Sequence, residues 1–243
     1  MTQIQAMLCA FAAFFAWVVM DAGVKWGSQS PLSPIAIMGV LGIVGTLGVV
    51  GMAARKRDFA CLVPRHPREQ IILCLCSLTI NYAFIIALKH LPLTIYYIVV
   101  FTAPLVVAVL SSILKHEILT VTKVTCLVSG FVGVIIAVAP HASGSGEWIG
   151  YLASGINVMC FAVMTVVTRK ISATASTESI MLPSLVVYGV IGIIGGMFNG
   201  GFPMGKALVV VTIAAAVNMI GNFLYNKALK YTSSTNVMQL HYS

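Results

Sequence analysis

Long apolar runs broken by short polar or charged punctuation form the pattern of this chain. Eight stretches carry almost no charge and are long enough to cross a hydrocarbon core of about 30 Å, which takes roughly 20 helical residues. They lie near 4–24, 34–54, 70–88, 92–114, 121–139, 148–168, 180–198 and 207–226. Between them stand Arg55-Lys56-Arg57-Asp58, Lys115-His116-Glu117, the Gly/Ser run from His141 to Glu147, and Arg169-Lys170. The pattern predicts a transmembrane helix for each stretch. The first is expected to stay as a mature span, because no positive charge precedes it and a second span follows at once.

Composition sharpens this picture. Of 243 residues, 59% are hydrophobic and 8% charged, against about 25% charged in soluble domains, which excludes a water-soluble globule. At roughly 25 to 30 residues per span and loop, no extramembrane domain is left over. The net charge of +8 sits beside the apolar runs, so it speaks of membrane orientation and not of a nucleic-acid surface. With the N-terminus inside, eleven Lys and Arg fall in inner loops and three, Lys25, Lys89 and Lys206, in outer ones. Short cytoplasmic loops hold such an excess, which predicts an inner (plasma) membrane protein with a cytoplasmic N-terminus. All six cysteines are expected to be small buried hydrophobes, only Cys61 lying in a loop, and no zinc set is expected.

Internal repetition is the most informative feature. A shift of 141 lays Asn81-Tyr82-Ala83-Phe84 through Lys89 over Asn222-Phe223-Leu224-Tyr225 through Lys230, and Thr94 over Thr235. A shift of 147 lays Gly42, Gly45 and Gly48 over Gly189, Gly192 and Gly195. The first helix matches the sixth weakly, through Phe15-Ala16 and Phe161-Ala162. These matches predict two five-helix repeats, 1–140 and 141–243. An odd helix count makes them run in opposite directions, an arrangement typical of secondary transporters. The second repeat stops at the counterpart of Thr102. The chain is therefore expected to be a fragment or truncated product of a ten-helix protein, with eight helices and part of a ninth.

The stretch Ala87-Leu88-Lys89-His90-Leu91-Pro92-Leu93-Thr94, then Phe101-Thr102-Ala103-Pro104-Leu105 and His116-Glu117-Ile118-Leu119, resembles the EamA family of the drug/metabolite transporter superfamily. A weak version recurs at Ala228-Leu229-Lys230-Tyr231-Thr232-Ser233. His116 stands where that family usually has Gly. The resemblance implies a ten-helix basket around a cavity lined by helices 1, 3, 4, 6, 8 and 9, carrying amino acids or other small metabolites. Some similar bacterial members are assigned to S-adenosylmethionine uptake. Pro104 and Glu117 are the structural residues of its motif, Glu117 serving as an anchor or gate.

Candidate site residues follow from polarity in apolar surroundings. Ser77, Asn81 and Phe84 share one helix face and are mirrored by Asn218, Asn222 and Tyr225. A side-chain amide in hydrocarbon needs a partner, so these amides and Asn157 face the bundle interior, as substrate ligands or as interhelical glue. Trp17 and Tyr97 can stack on a planar or cationic ligand or simply pack. Gln239 would line a complete ninth helix. Asp21 is the one carboxylate inside an apolar run and a candidate for ion coupling, the alternative being an interfacial charge beside Lys25. Gly39, Gly42, Gly45, Gly48 and Gly51 form a packing groove.

No Walker-type phosphate loop occurs, so ATP-driven transport is not expected. No Lys or Arg sits mid-span, which favours neutral, zwitterionic or cationic cargo. No catalytic residues, cofactor or metal are expected, and the partners are a small-molecule metabolite, the bilayer and a second copy in a homodimer. The rivals are a noncatalytic or inactive membrane subunit and, less favoured, a membrane-embedded enzyme.

Overall fold

A computed structural model describes residues 3–114, 120–138, 147–202 and 205–239. Its helices are α1 (Gln3–Ser28), α2 (Pro34–Lys56), α3 (Pro67–His90), α4 (Leu93–Val100), α5 (Ala103–Ile113), α6 (Val121–Val138), α7 (Trp148–Ile171), α8 (Thr177–Phe198), α9 (Lys206–Tyr231) and α10 (Ser234–Gln239). Among the described residues, seven segments are long and apolar enough to cross a membrane, Leu93–Ile113 counted as one. The run expected at 121–139 folds as α6, with Val124–Gly133 as its shorter apolar helix.

Local chemistry sets the ends. Ser33 accepts from the Ala36 amide at 3.2 Å, and Pro34 opens α2 where a missing N–H costs nothing. Arg57 closes that helix in the left-handed conformation, φ 54°, its amide returning to Ala53 and Ala54. The span expected as one helix at 92–114 is two. Pro104 has no N–H for the carbonyl of Val100, and the chain turns at Phe101-Thr102, where the Thr102 hydroxyl donates to Val99 O at 2.6 Å.

The helices pair most extensively as α1 with α9, α3 with α7, and α2 with α8. Exchanging α1 for α7, α2 for α8 and α3 for α9 leaves that set unchanged. α1 packs antiparallel to α9, and α3 antiparallel to α7, so the architecture is one of inverted repeats. Both third helices end alike: the Leu91 amide returns to Ala87 O at 2.8 Å, and the Thr232 amide, 141 residues on, returns to Ala228 O at 3.2 Å.

Apolar side chains stand on the outside at membrane depth: Phe15, Leu47, Leu75, Ile136 and Met197 are each more than 60% exposed. Such a surface is stable only in lipid, and the chain is a multi-pass membrane protein. Its described ion pairs lie at helix ends. Lys56 pairs with Glu178 and Lys170 with Glu69 at 2.9 Å, and the His90 ring lies within hydrogen-bond distance of Glu147, at 2.8 Å. The cysteines depart from expectation. None is fully buried; Cys126 is exposed and the other five are half-buried, because Cys61 lies in the loop after α2 and the rest sit on helix flanks whose apolar surroundings include lipid.

Candidate functional site

The helices enclose a cavity of about 430 Å³, lined from α1, α3, α4, α5, α7, α8 and α9. Trp17, Asp21, Ser77, Asn81, Tyr97, Asn157, Asn218, Asn222 and Tyr225 all lie on its wall. The side chain of Gln239, the last residue of α10, lies outside the described residues, as does Glu117. Pro104 is buried at the start of α5, in a structural position.

Asp21 stands on the cavity wall, and the alternative of an interfacial charge beside Lys25 does not hold. It is buried, 8% exposed, and its Oδ2 accepts from the Tyr97 hydroxyl at 2.9 Å. Lys25 reaches away, donating to the carbonyl of Leu88 and, at 2.8 Å, of Leu91. The physical reason is the end of α3: its last carbonyls have no intrahelical donor and attract a cation. That leaves Asp21 to the cavity. Among the described residues its Oδ1 accepts no hydrogen bond, and Asp21 is the one Asp, Glu, Lys, Arg or His on the wall.

The amides line the cavity while holding the helices. Asn81 Nδ2 donates to Ser77 O at 2.8 Å on its own helix, and Asn157 Nδ2 crosses from α7 to Ile80 O of α3 at 3.2 Å. Asn222 Nδ2 donates to Asn218 Oδ1 at 3.0 Å, and Asn226 Nδ2 to Asn222 O at 2.8 Å. In each of these four donations an N–H is taken up. The oxygens of Asn81, Asn157, Asn222 and Asn226 make no hydrogen bond among the described residues.

Aromatic rings supply much of the remaining wall. Trp17 lies 4.9 Å from Tyr225 between ring centroids and 5.5 Å from Phe14. It can lie against α9 because Gly221 has no Cβ there; one would come within 2.9 Å of the indole. The Tyr225 hydroxyl is shared with Thr165 at 2.7 Å. Tyr97 stacks on Phe101 at 5.8 Å and an interplanar angle of 29°.

The lining differs from the set that the resemblance implied. α8 contributes Ser184 and Tyr188, and among the described residues α10 does not line the cavity. Ser184 and Tyr188 stand at i and i+4 on α8, a signal present in the sequence. At a shift of 147 their counterparts in α2 are Ile37 and Leu41, so a search for mirrored polar positions passes over them. Among the described residues, no group of three or more His, Cys, Asp or Glu could hold a metal.

The sequence profile of the EamA-like transporter family matches residues 4–139. A comparison with curated proteins finds no match. Among solved structures, one titled "Crystal structure of protein" superposes with a TM-score of 0.79 at 20% identity, over 98% of this chain and 83% of that one. At that identity the likeness shows the fold.

Proposed function

The chain belongs to the EamA-like transporter family, and from that premise we propose that it is a secondary transporter of a small organic metabolite, such as an amino acid or S-adenosylmethionine. Members of this family are transporters and not enzymes. The repeats 1–140 and 141–243 rock against each other and expose the cavity to each face in turn, as inverted repeats allow. The protein sits in the inner (plasma) membrane with its N-terminus in the cytoplasm, since eleven of its fourteen Lys and Arg then lie inside.

The observation that carries this reading is the composition of the cavity wall. Asn81 of α3 and Asn222 of α9, at corresponding positions of the two halves, both line one space. A cargo held there touches both moving parts, which is what coupling its release to their motion requires. The cavity volume falls in the range of small-molecule sites, about 300 to 1,000 Å³.

The test is uptake of labelled S-adenosylmethionine and of an amino-acid panel into proteoliposomes. Saturable uptake above empty liposomes, reduced by Asn81→Ala combined with Asn222→Ala, supports the proposal. Absence of uptake of any solute sinks it.

A further inference from the structure

We propose that the cavity selects an organic cation, with Asp21 as the residue that pairs with its charge; this rests on the transport reading and narrows its cargo. Asp21 is buried on an apolar helix, one oxygen held by Tyr97 and the other without a hydrogen-bond donor among the described residues. The described ion pairs join other residues, at the helix ends, and no Lys, Arg or His is on the described wall. A buried carboxylate with no fixed counter-charge is costly to keep ionised, and it is answered either by a proton or by a cation that arrives with the ligand and displaces that proton. An anion would be repelled by the ionised form, and a neutral solute would gain nothing from it.

The surroundings fit a soft, weakly hydrated cation. Trp17 and Asp21 are four residues apart on α1, and both line the cavity. Tyr97 and Phe101 stack four residues apart on the neighbouring segment. Aromatic faces attract ammonium, sulfonium and guanidinium groups through the ring quadrupole, so ring faces and carboxylate act on the same charge.

The other end of the cavity has different chemistry. α1 and α9 pack antiparallel, with Gly27 against Val211 and Gly221 against Trp17, so Asp21, late in α1, and Asn226, late in α9, lie towards opposite ends of the pair. Around Asn226 and Asn222 one N–H of each amide is taken and both oxygens are left, while Asn218 accepts through its Oδ1 and keeps its own N–H groups. Such an end both accepts from and donates to a polar ligand. The ligand is therefore elongated, positive at one end and polar at the other.

The test is binding, read from the fluorescence of Trp17 in a chain carrying Trp26→Phe and Trp148→Phe, both replaced residues being exposed. The probes are pairs that differ in charge: choline and 3,3-dimethylbutan-1-ol, arginine and citrulline, S-adenosylmethionine and S-adenosylhomocysteine. At least one cation should bind about tenfold or more tightly than its neutral partner. That preference should vanish in Asp21→Asn and return in Asp21→Glu, with the melting temperature of each variant confirming its fold. Equal binding across all three pairs, absence of binding, or a preference that survives Asp21→Asn overturns the inference. Uptake of the same probes is measured separately. Charge-selective binding without uptake removes the transport reading and leaves the cation site, whereas uptake without charge selection does the reverse.

Discussion

Gly42 of α2 meets Gly189 of α8 backbone to backbone, and these are the two residues that a shift of 147 makes equivalent. A contact between equivalent residues lies on the local two-fold axis that relates the halves. A Cβ on Gly42 would overlap Gly189 Cα and come within 2.5 Å of its amide nitrogen and 2.9 Å of Leu185 O. Those atoms are main chain and cannot rotate aside. Gly42→Ala is expected to force the helices apart and cost ~1 to 3 kcal/mol, the usual range for overpacking. Gly51→Ala, where nothing lies within 4 Å, should leave stability unchanged. Unfolding of both variants in detergent checks this; equal melting temperatures would refute the close contact.

A second prediction concerns two cations at opposite faces. Lys25 donates to the carbonyls of Leu88 and Leu91 at the end of α3, and Arg169 to that of Leu229 at the end of α9, at 2.5 Å. Leu88 and Leu229 correspond at a shift of 141. Each cation also stands below a matching serine: Ser28 donates to Lys25 O and Ser172 to Arg169 O, both at 2.8 Å. Removing a charged donor from a helix-end carbonyl costs ~1.5 to 3 kcal/mol. Lys25→Leu and Arg169→Leu should each destabilise by that order, and the double variant by the sum, since the sites are far apart. Denaturant titration of the four proteins measures it.

How much of this could be read beforehand depends on what each residue had to signal. The spans were legible because crossing a bilayer demands long apolar runs, and the polar wall was legible where both halves kept an amide, as at Asn81 and Asn222. The register of the first helix on the sixth was not. Phe15-Ala16 and Phe161-Ala162 suggest a shift of 146, whereas the bonds of Lys25, Ser28, Arg169 and Ser172 define 144. A Lys and an Arg become equivalent only through the carbonyls they reach. Ser184 and Tyr188 escaped because their counterparts are apolar. Asp21 looked interfacial because Lys25 was assigned to it, and the long side chain of Lys25 serves α3 instead.

The loop after α2 gives a test of sidedness. Cys61 lies there, its thiol raised above the ordinary value by burial and by the charges of Glu178 and Asp58. A raised value means less thiolate at neutral pH, so maleimide should react slowly near pH 7 and faster as pH rises through and beyond the usual thiol range. In a variant keeping only this cysteine, an impermeant maleimide should label inside-out vesicles and spare intact cells. Glu178→Gln should move the pH midpoint of labelling downward. Labelling of intact cells would reverse the proposed orientation.

The amides of the cavity separate into glue and cargo contacts by where their N–H groups go. Asn157 sends its N–H from α7 to Ile80 O on α3, so it ties together two helices from different halves. Asn157→Ala removes that tie between two helices within the membrane, where interhelical hydrogen bonds average about 0.6 kcal/mol and reach about 1.7. Asn81 returns its N–H to Ser77 O on its own helix, a carbonyl that the helix ladder already serves. Asn81→Ala should therefore barely change the melting temperature. Its oxygen nevertheless lines the cavity, and losing one hydrogen bond to cargo should raise the half-saturating substrate concentration severalfold with little change in maximal rate. Asn157→Ala should instead lower stability and alter the maximal rate, because it loosens one repeat against the other. If both variants lose stability equally and transport alike, the stripe on α3 is structural and the cargo contacts lie elsewhere on the wall.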